Sequence, residues 1–277
     1  MTETQASPRG WAPPGGWLGT LMAGASNRAA ALASELPALE RAARAAPDVA
    51  SFTGALRGRE VSVIAEIKRR SPSKGVIDDT LDAPARALVY AAAGAAALSV
   101  LTERAHFGGT LDDLCAVRAV TRVPLLRKDF IVHRAQLCEA RAAGASAALL
   151  IARALAPGAF ASLAAEAADL GLDVLLEVRD EAELERALGV PGGVIGINNR
   201  NLETLAVDDA VSERLIPLVP PDRIVVYESG IRDRAGVERA AAIGADAVLV
   251  GSSLSAAADG ASAATALTGV PRRGRGR

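Results

Sequence analysis

The chain has 277 residues; half are hydrophobic, 23% are charged, 3% are aromatic, and the net charge is −1. That length suits one α/β barrel as well as two small domains, and the composition supports a large core and excludes global disorder. The near-neutral charge and scarce aromatic rings argue against a nucleic-acid partner, and two cysteines with two histidines argue against a disulfide framework or a zinc site.

Residues 1–15 are rich in Pro, Gly and Ser and are expected to be flexible. Residues 16–46 are helix formers, with leucines at Leu18, Leu21, Leu32, Leu36 and Leu39, and Pro47 closes the stretch. Trp17–Ala25 is too short for a signal peptide and is flanked by Gly, Asn and Arg. Apolar runs such as Ala142–Ala152 fall short of a membrane span. The expectation is a soluble, cytoplasmic protein with no membrane partner.

From residue 61 a rhythm begins. Apolar runs occupy Val61–Ile67, Ala96–Leu101, Val123–Leu126, Ala147–Ile151, Asp173–Val178, Val194–Ile197, Arg223–Tyr227 and Ala245–Val250. Stretches of helical period separate them. Near-continuous apolar strands belong to a parallel sheet covered on both faces. Gly94, Gly144, Gly171 and Gly244 each sit shortly before a strand, as helix C-caps do. Eight such units predict an α/β fold, a (β/α)8 TIM barrel over residues 61–258, behind a flexible N-terminus and helical extension over residues 1–60. A doubly wound open sheet is the weaker alternative, because no GxGxxG follows the first run. Residues 259–277 decay into small residues and arginines and are expected to form a disordered basic tail.

In a barrel of this kind the C-terminal ends of the strands form the active site. In strand order they carry Glu66, Lys68 and Ser71; Thr102 and Glu103; Arg127, Lys128, Asp129 and Phe130; Arg153; Glu177; Asn198, Asn199 and Arg200; Glu228, Ser229 and Gly230; and Gly251, Ser252 and Ser253. Glu66 and Lys68 are two apart, so they share the interior face. An ion-pair network bracing the barrel would satisfy such charges. Two lysines, Lys68 and Lys128, meeting Glu66 and Glu177 suit proton transfer better, because burial and pairing tune their pKa values. Glu228-Ser-Gly and Gly251-Ser-Ser follow the seventh and eighth strands, where these barrels bind phosphate. Small residues there leave backbone N–H groups open to an anion. Cys115 and Cys138 read as buried, inert thiols. His106 can approach the mouth of the site, and His133 reads as an early helix residue.

Ordered motifs add a sharper signal. They are Ile64-Ala-Glu-Ile-Lys-Arg-Arg-Ser-Pro-Ser-Lys-Gly75, Leu98-Ser-Val-Leu-Thr-Glu103 with Phe107-Gly-Gly109, Leu126-Arg-Lys-Asp-Phe130, Leu176-Glu-Val178, Gly196-Ile-Asn-Asn-Arg-Asn-Leu-Glu-Thr204, Glu228-Ser-Gly-Ile231 and Val250-Gly-Ser-Ser-Leu254. In these motifs the chain resembles the indole-3-glycerol phosphate synthase family of tryptophan biosynthesis. The resemblance implies a carboxy-lyase that closes an indole ring. It would act on 1-(2-carboxyphenylamino)-1-deoxyribulose 5-phosphate by decarboxylation and dehydration, with no cofactor and no metal.

The same resemblance implies roles. Lys128 would be the general acid on the ketone, with Glu177 and Lys68 serving the later proton transfers. Glu66 would tune a lysine by ion pairing, and Asn198 and Ser229 would complete the catalytic set. Ser71, Arg200 and Glu228 would bind substrate, and Phe130 would pack on its anthranilate ring. Lys68, Ser229, Gly230, Gly251 and Ser252 would hold the phosphate. The chain departs from the family pattern at Tyr227, before Glu228-Ser-Gly, and at Ala152 and Arg153, at the end of the fourth strand. The extension is expected as a lid over the mouth, with a plug at the bottom of the barrel as the alternative. The partner would be this small molecule, and the chain a monomer or weak homo-oligomer.

Other readings are another phosphosugar-binding barrel enzyme, a diverged paralogue in a specialised indole pathway, and an idle barrel used for docking. Isomerases of tryptophan or histidine synthesis lack the Ser-Pro-Ser-Lys-Gly loop and the paired lysines. An idle barrel would show eroded strand ends, whereas every charged position here is filled.

Overall fold

The computed structural model describes residues 11–275, so residues 1–10 of the stretch expected to be flexible and the last two residues of the expected basic tail lie outside the described residues. Eight parallel strands close into a barrel: β1 (Ser62–Ile67), β2 (Ala97–Leu101), β3 (Leu125–Lys128), β4 (Ala147–Ile151), β5 (Asp173–Val178), β6 (Val194–Asn198), β7 (Val225–Glu228) and β8 (Ala247–Val250). Each pairs with the next in chain order, and β8 returns to pair with β1. This is the (β/α)8 architecture, and each strand overlaps one of the apolar runs. Three strands outrun the hydrophobic pattern: β3 continues to Lys128, β6 to Asn198 and β7 to Glu228. The ladder persists there through polar side chains that point into the mouth.

The period of two splits the core into two layers. Ile64, Leu126, Leu175, Val226 and Leu249 fill the barrel interior. Val63, Ala65, Leu98, Leu125, Ile195 and Val248 face the surrounding helices. Several of those helices begin with side-chain caps, among them Asp82, Thr110, Asp180 and Asp233.

The extension forms α1 (Gly16–Leu32), α2 (Leu36–Ala45) and α3 (Phe52–Ala55). α1 buries Leu18, Leu21 and Ala25 against interior residues, and Leu21 lines the cavity at the strands' C-terminal ends. α2 runs down the outer helix Arg134–Ala142. There Arg134 Nε donates to Glu40 Oε1 at 2.8 Å, and Arg141 donates to the carbonyls of Ala46 and Pro47 at 3.1 and 2.8 Å. α3 sits at the opposite end of the barrel. Phe52 and Leu56 are fully buried in the interior cluster. Asp173, the first residue of β5, accepts from the Thr53 N–H at 2.9 Å and from Ser51 Oγ at 3.1 Å. α1 therefore lies at the mouth of the barrel and α3 at its other end.

The stretch expected as a disordered tail is structured through Arg275. It holds a helix at Gly260–Ala266, capped by Asp259. Val270 O then accepts from the Val61 N–H at 2.8 Å. Arg275 Nη1 pairs with Asp246 Oδ2 at 2.8 Å, and Arg272 pairs with Asp246 Oδ1. The buried Asp246 carboxylate needs these cations, and that need holds the arginines in place. One further expectation is corrected: Cys138 is buried, but Cys115 is exposed, on the outer side of the helix Leu111–Val120. Among the described residues, no helix is long and apolar enough to cross a membrane.

Candidate active site

The alternation that puts Ile64, Leu126, Leu175 and Val226 inside the barrel continues, two residues on, to Glu66, Lys128, Glu177 and Glu228. Lys68 Nζ donates to Glu66 Oε1 at 2.5 Å. Lys128 Nζ lies 3.2 Å from Glu177 Oε2 and 3.6 Å from Glu228 Oε2. Asn198 Nδ2 donates to Glu177 Oε1 at 2.9 Å, and Asn198 Oδ1 accepts from Ser229 Oγ and from the Arg200 N–H, each at 2.9 Å. A continuous polar chain thus links Ser229, Asn198, Glu177, Lys128 and Glu228 across four strands.

Two glycines make room for the carboxylates. A Cβ at Gly196 on β6 would collide with Glu228 Oε1, and a Cβ at Gly251 after β8 would collide with Glu66 Oε1. Gly251 therefore leaves space for a carboxylate held in an ion pair.

Burial alone would lower the pKa of Lys128. Glu177, Glu228 and Glu66 outweigh it and hold the pKa above the usual lysine range, so Lys128 is an ammonium. Burial works the other way on Glu228. It pushes the carboxyl well above the carboxylate range, and Glu177 and Glu66 add to this against the pull of Lys128. Glu66 is buried too, yet Lys68 and Lys128, with Arg200 behind them, bring it below its ordinary value. Three carboxylates in one small space therefore divide into stronger and weaker acids according to their cations.

The cavity above this layer has a volume of about 480 Å³. Glu66, Lys68, Ser71, Lys128, Phe130, Glu177, Asn198, Arg200, Glu228, Ser229, Gly230, Gly251 and Ser252 all line it, so the structure brings together every residue to which the resemblance gives a role, whereas Thr102, Glu103, Arg127, Arg153 and Asn199 of the strand ends do not line it. One half is apolar. The Phe107 and Phe130 rings lie 6.2 Å apart at 38°, joined by Leu21, Leu101, Ile151 and Leu202. Across the ring of strands, Ser71, Ser229, Gly230, Gly251 and Ser252 form a half of small and polar residues. Ser71 Oγ and Glu228 Oε1 are buried with no protein partner. Such groups cost stability unless a ligand or water satisfies them.

Ser229 has a φ of +65° and Gly230 one of +99°. A Cβ on Gly230 would come within 2.5 Å of Asp209 Oδ1 and 3.6 Å of the Tyr227 hydroxyl. Tyr227 thus faces the helix layer and stands behind the Ser229–Gly230 turn. Ser253 Oγ donates to Ile231 O at 3.1 Å and ties the last two loops together.

Other candidates fall elsewhere. Arg127 faces outward, donating to Gln136 O at 2.7 Å and pairing with Glu139 at 3.2 Å. His106 does not line the cavity; it stands edge-on to Trp17 with ring centroids 5.8 Å apart. His133 caps the helix Arg134–Ala142, its Nδ1 accepting from the Ala135 N–H at 3.1 Å. Leu21, Leu202, Lys74 and Arg232 also line the cavity, though the sequence gives none of them a site role: Leu21 reads only as a helix leucine, and Leu202 and Lys74 only stand inside motifs. Nothing local separates such a leucine from a core leucine. Phe107 likewise carries no signal beyond its place in Phe107-Gly-Gly109.

The arrangement places an ammonium, backed by carboxylates, under a space with an aromatic wall on one side and open backbone on the other. That suits protonating a carbonyl of a molecule with one aromatic end and one anionic end. Comparison with known proteins points the same way. The family model described as indole-3-glycerol phosphate synthase matches residues 21–267. A protein of that name from a Nocardioides species is 53% identical over 209 residues, covering 76% of this chain and 80% of its own length. Another from Streptomyces griseus is 51% identical over 215 residues, covering 78% of this chain and 80% of its own. Among solved structures, 3-hexulose-6-phosphate synthase from Salmonella typhimurium superposes with a TM-score of 0.60 at 15% identity, over 75% of this chain and 96% of that one. At that identity the likeness concerns the barrel fold alone.

Proposed function

The chain belongs to the indole-3-glycerol phosphate synthase family, and from that membership and the cavity's geometry we propose how its residues carry out the family's reaction. The enzyme is a carboxy-lyase of tryptophan biosynthesis. It converts 1-(2-carboxyphenylamino)-1-deoxyribulose 5-phosphate to indole-3-glycerol phosphate, carbon dioxide and water. The observation that carries the assignment of roles is the Lys128 ammonium, held by Glu177 and Glu228 beneath the Phe107–Phe130 wall.

The anthranilate ring packs on Phe130, and the phosphate lies between the Ser229–Gly230 and Gly251–Ser252 turns, with Lys68 and Ser71 beside it. Arg200 and Asn198 hold the substrate's carboxylate and hydroxyl groups. The ring carbon that bears the carboxylate attacks the ketone carbon. As that bond forms, charge builds on the ketone oxygen, and Lys128 gives it a proton. A forming alkoxide is a far stronger base than a ketone, so transfer from a tightly held ammonium becomes favourable only as the bond forms. Carbon dioxide then leaves without its bonding electron pair, which restores the aromatic ring. In the last step Glu177 takes a proton from the carbon next to nitrogen, Lys68 gives one to the departing hydroxyl, and water leaves.

A water-soluble phosphorylated substrate suits a cytoplasmic enzyme acting as a monomer or weak homo-oligomer. The test is to mix the purified protein with the carboxyphenylamino-deoxyribulose phosphate and follow indole fluorescence. A folded protein that yields no indole product would overturn the reading.

A further inference from the structure

α1 begins without a cap of its own. Gly15 at the N-cap has no side chain, and the first turn carries no acidic residue. The first N–H groups of a helix need acceptors, and its positive end favours a carboxylate. Here the acceptor comes from the loop after β6. Glu203 Oε1 accepts from the Gly15 N–H at 2.7 Å, and Glu203 O accepts from the Trp17 N–H at 3.2 Å. The approach is close: Gly16 has a φ of +55°, and a Cβ there would collide with Glu203 O.

Arg153, after β4, completes the arrangement. Its Nη2 donates to Glu203 Oε1 at 2.8 Å and its Nη1 to Ala12 O at 2.7 Å, while Arg153 O accepts from Trp11 Nε1 at 3.3 Å. Both side chains are about one-third exposed, and an ion pair of that kind alone contributes little. Its weight lies in the backbone groups it gathers. The loop that carries Glu203 is stiff: Asn201 Oδ1 accepts from the Glu203 and Thr204 N–H groups at 2.8 and 3.1 Å. Leu205 is held at a φ of +65°, and its carbonyl accepts from Arg200 Nη1 at 2.9 Å. Leu202 and Leu205 of this loop line the cavity with Arg200, and Leu21 of α1 lines it from above.

We propose that Arg153 and Glu203 are positioning residues that clasp the start of α1 to the loop after β6, and so set the fraction of molecules whose lid and Arg200 are placed for substrate. This inference rests on the synthase reading above for its substrate. Neither residue touches the reacting atoms. The clasp acts through the closed population: if the competent state falls to a fraction of molecules, the apparent affinity falls by the same fraction, while the rate at saturation does not change.

The test uses Arg153→Ala and the conservative Arg153→Lys in the full chain, with two readouts. Amide hydrogen exchange at Gly15 and Trp17 reports the clasp directly, because both N–H groups bond to Glu203. Steady-state kinetics with the carboxyphenylamino-deoxyribulose phosphate reports its consequence. Arg153→Ala is expected to speed exchange at both amides and to raise KM ~5- to 10-fold, with kcat within ~2-fold of wild type. Arg153→Lys is expected to recover part of both effects. Unchanged exchange would overturn the clasp. Faster exchange with unchanged KM would reduce it to a structural tie and overturn the positioning role. Wild-type protein without turnover would defeat the synthase reading instead, and exchange would still decide the clasp.

Discussion

Lys128 Nζ and Glu177 Oε2 lie 3.2 Å apart although they belong to β3 and β5, which do not pair with each other because β4 lies between them. They meet because both point into the barrel at its mouth, where the ring is small enough for side chains two strands apart to touch. Glu228 approaches the same ammonium from β7.

Replacing that ammonium by an apolar chain of similar length tests its role. Lys128→Met is expected to lower kcat at least ~10²-fold, as loss of a general acid does. Binding of inorganic phosphate at the far half of the cavity should survive. Steady-state kinetics with a phosphate-binding titration would show this, and near-normal kcat would remove Lys128 from the chemistry.

Gly251 stands against Glu66, where an added Cβ would collide with the carboxylate. Gly251→Ala is expected to push Glu66 off Lys68 and to narrow the phosphate turn. Both effects should lower kcat/KM by ~10²-fold, with little change in Tm. A crystal structure of the wild type with phosphate between the Ser229–Gly230 and Gly251–Ser252 turns would support the site. Phosphate bound elsewhere would refute it.

Glu183 is buried beside Asp180, and burial with that neighbour pushes its carboxyl up to about 7 from an ordinary 4.5. Its Oε2 accepts from the Arg179 N–H at 2.8 Å. Between those two pH values the folded chain holds a proton that the unfolded chain has released. Stability therefore falls as pH rises through that window. Glu183→Gln keeps an acceptor and removes the titration. Urea unfolding should show the variant gaining on the wild type by on the order of 1–2 kcal/mol between about pH 5 and pH 8. Parallel stability curves would contradict the shift.

Asp246 holds the C-terminal strap at the bottom of the barrel, accepting from the Val225 N–H at 2.8 Å as well as from both arginines. Asp246→Ala would leave Arg275, whose side chain is 5% exposed, without its counterion. The expected loss of stability is about 3–5 kcal/mol, the cost of breaking a buried pair from one side. Thermal unfolding would measure it. The kcat of the folded variant should match the wild type, because the mouth lies at the other end. A selective loss of kcat with normal stability would contradict this placement.

The eight strands were legible because their signal is local. A strand buried on both faces is apolar over most of its length; Ala147–Ile151 is so throughout, Asp173–Val178 is so apart from Asp173 and Glu177, and both have the same bounds in sequence and structure. The polar site residues at the strand ends are legible because their order along the chain is the order of the strands, and a barrel gathers all its strand ends at one mouth. The exposure of Cys115 and the order of the tail are not legible locally, for the opposite reason. The burial of one helical position, and the hold on Arg272 and Arg275, depend on partners far along the chain.

The sequence alone determined the barrel, its eight units and the inward polar set from Glu66 to Ser252, because side-chain period and strand order carry that information. Tertiary structure alone decided where the extension goes. Leucines at helical spacing say only that one face is buried; they do not say that α1 covers the mouth while Phe52 plugs the bottom. It also decided which cations meet which carboxylates: Arg153 with Glu203 is a pairing across fifty residues of chain. No local pattern encodes such a contact. It exists because folding brings the ends of β4 and β6 and the start of α1 to the same rim, where an uncapped helix needs an acceptor.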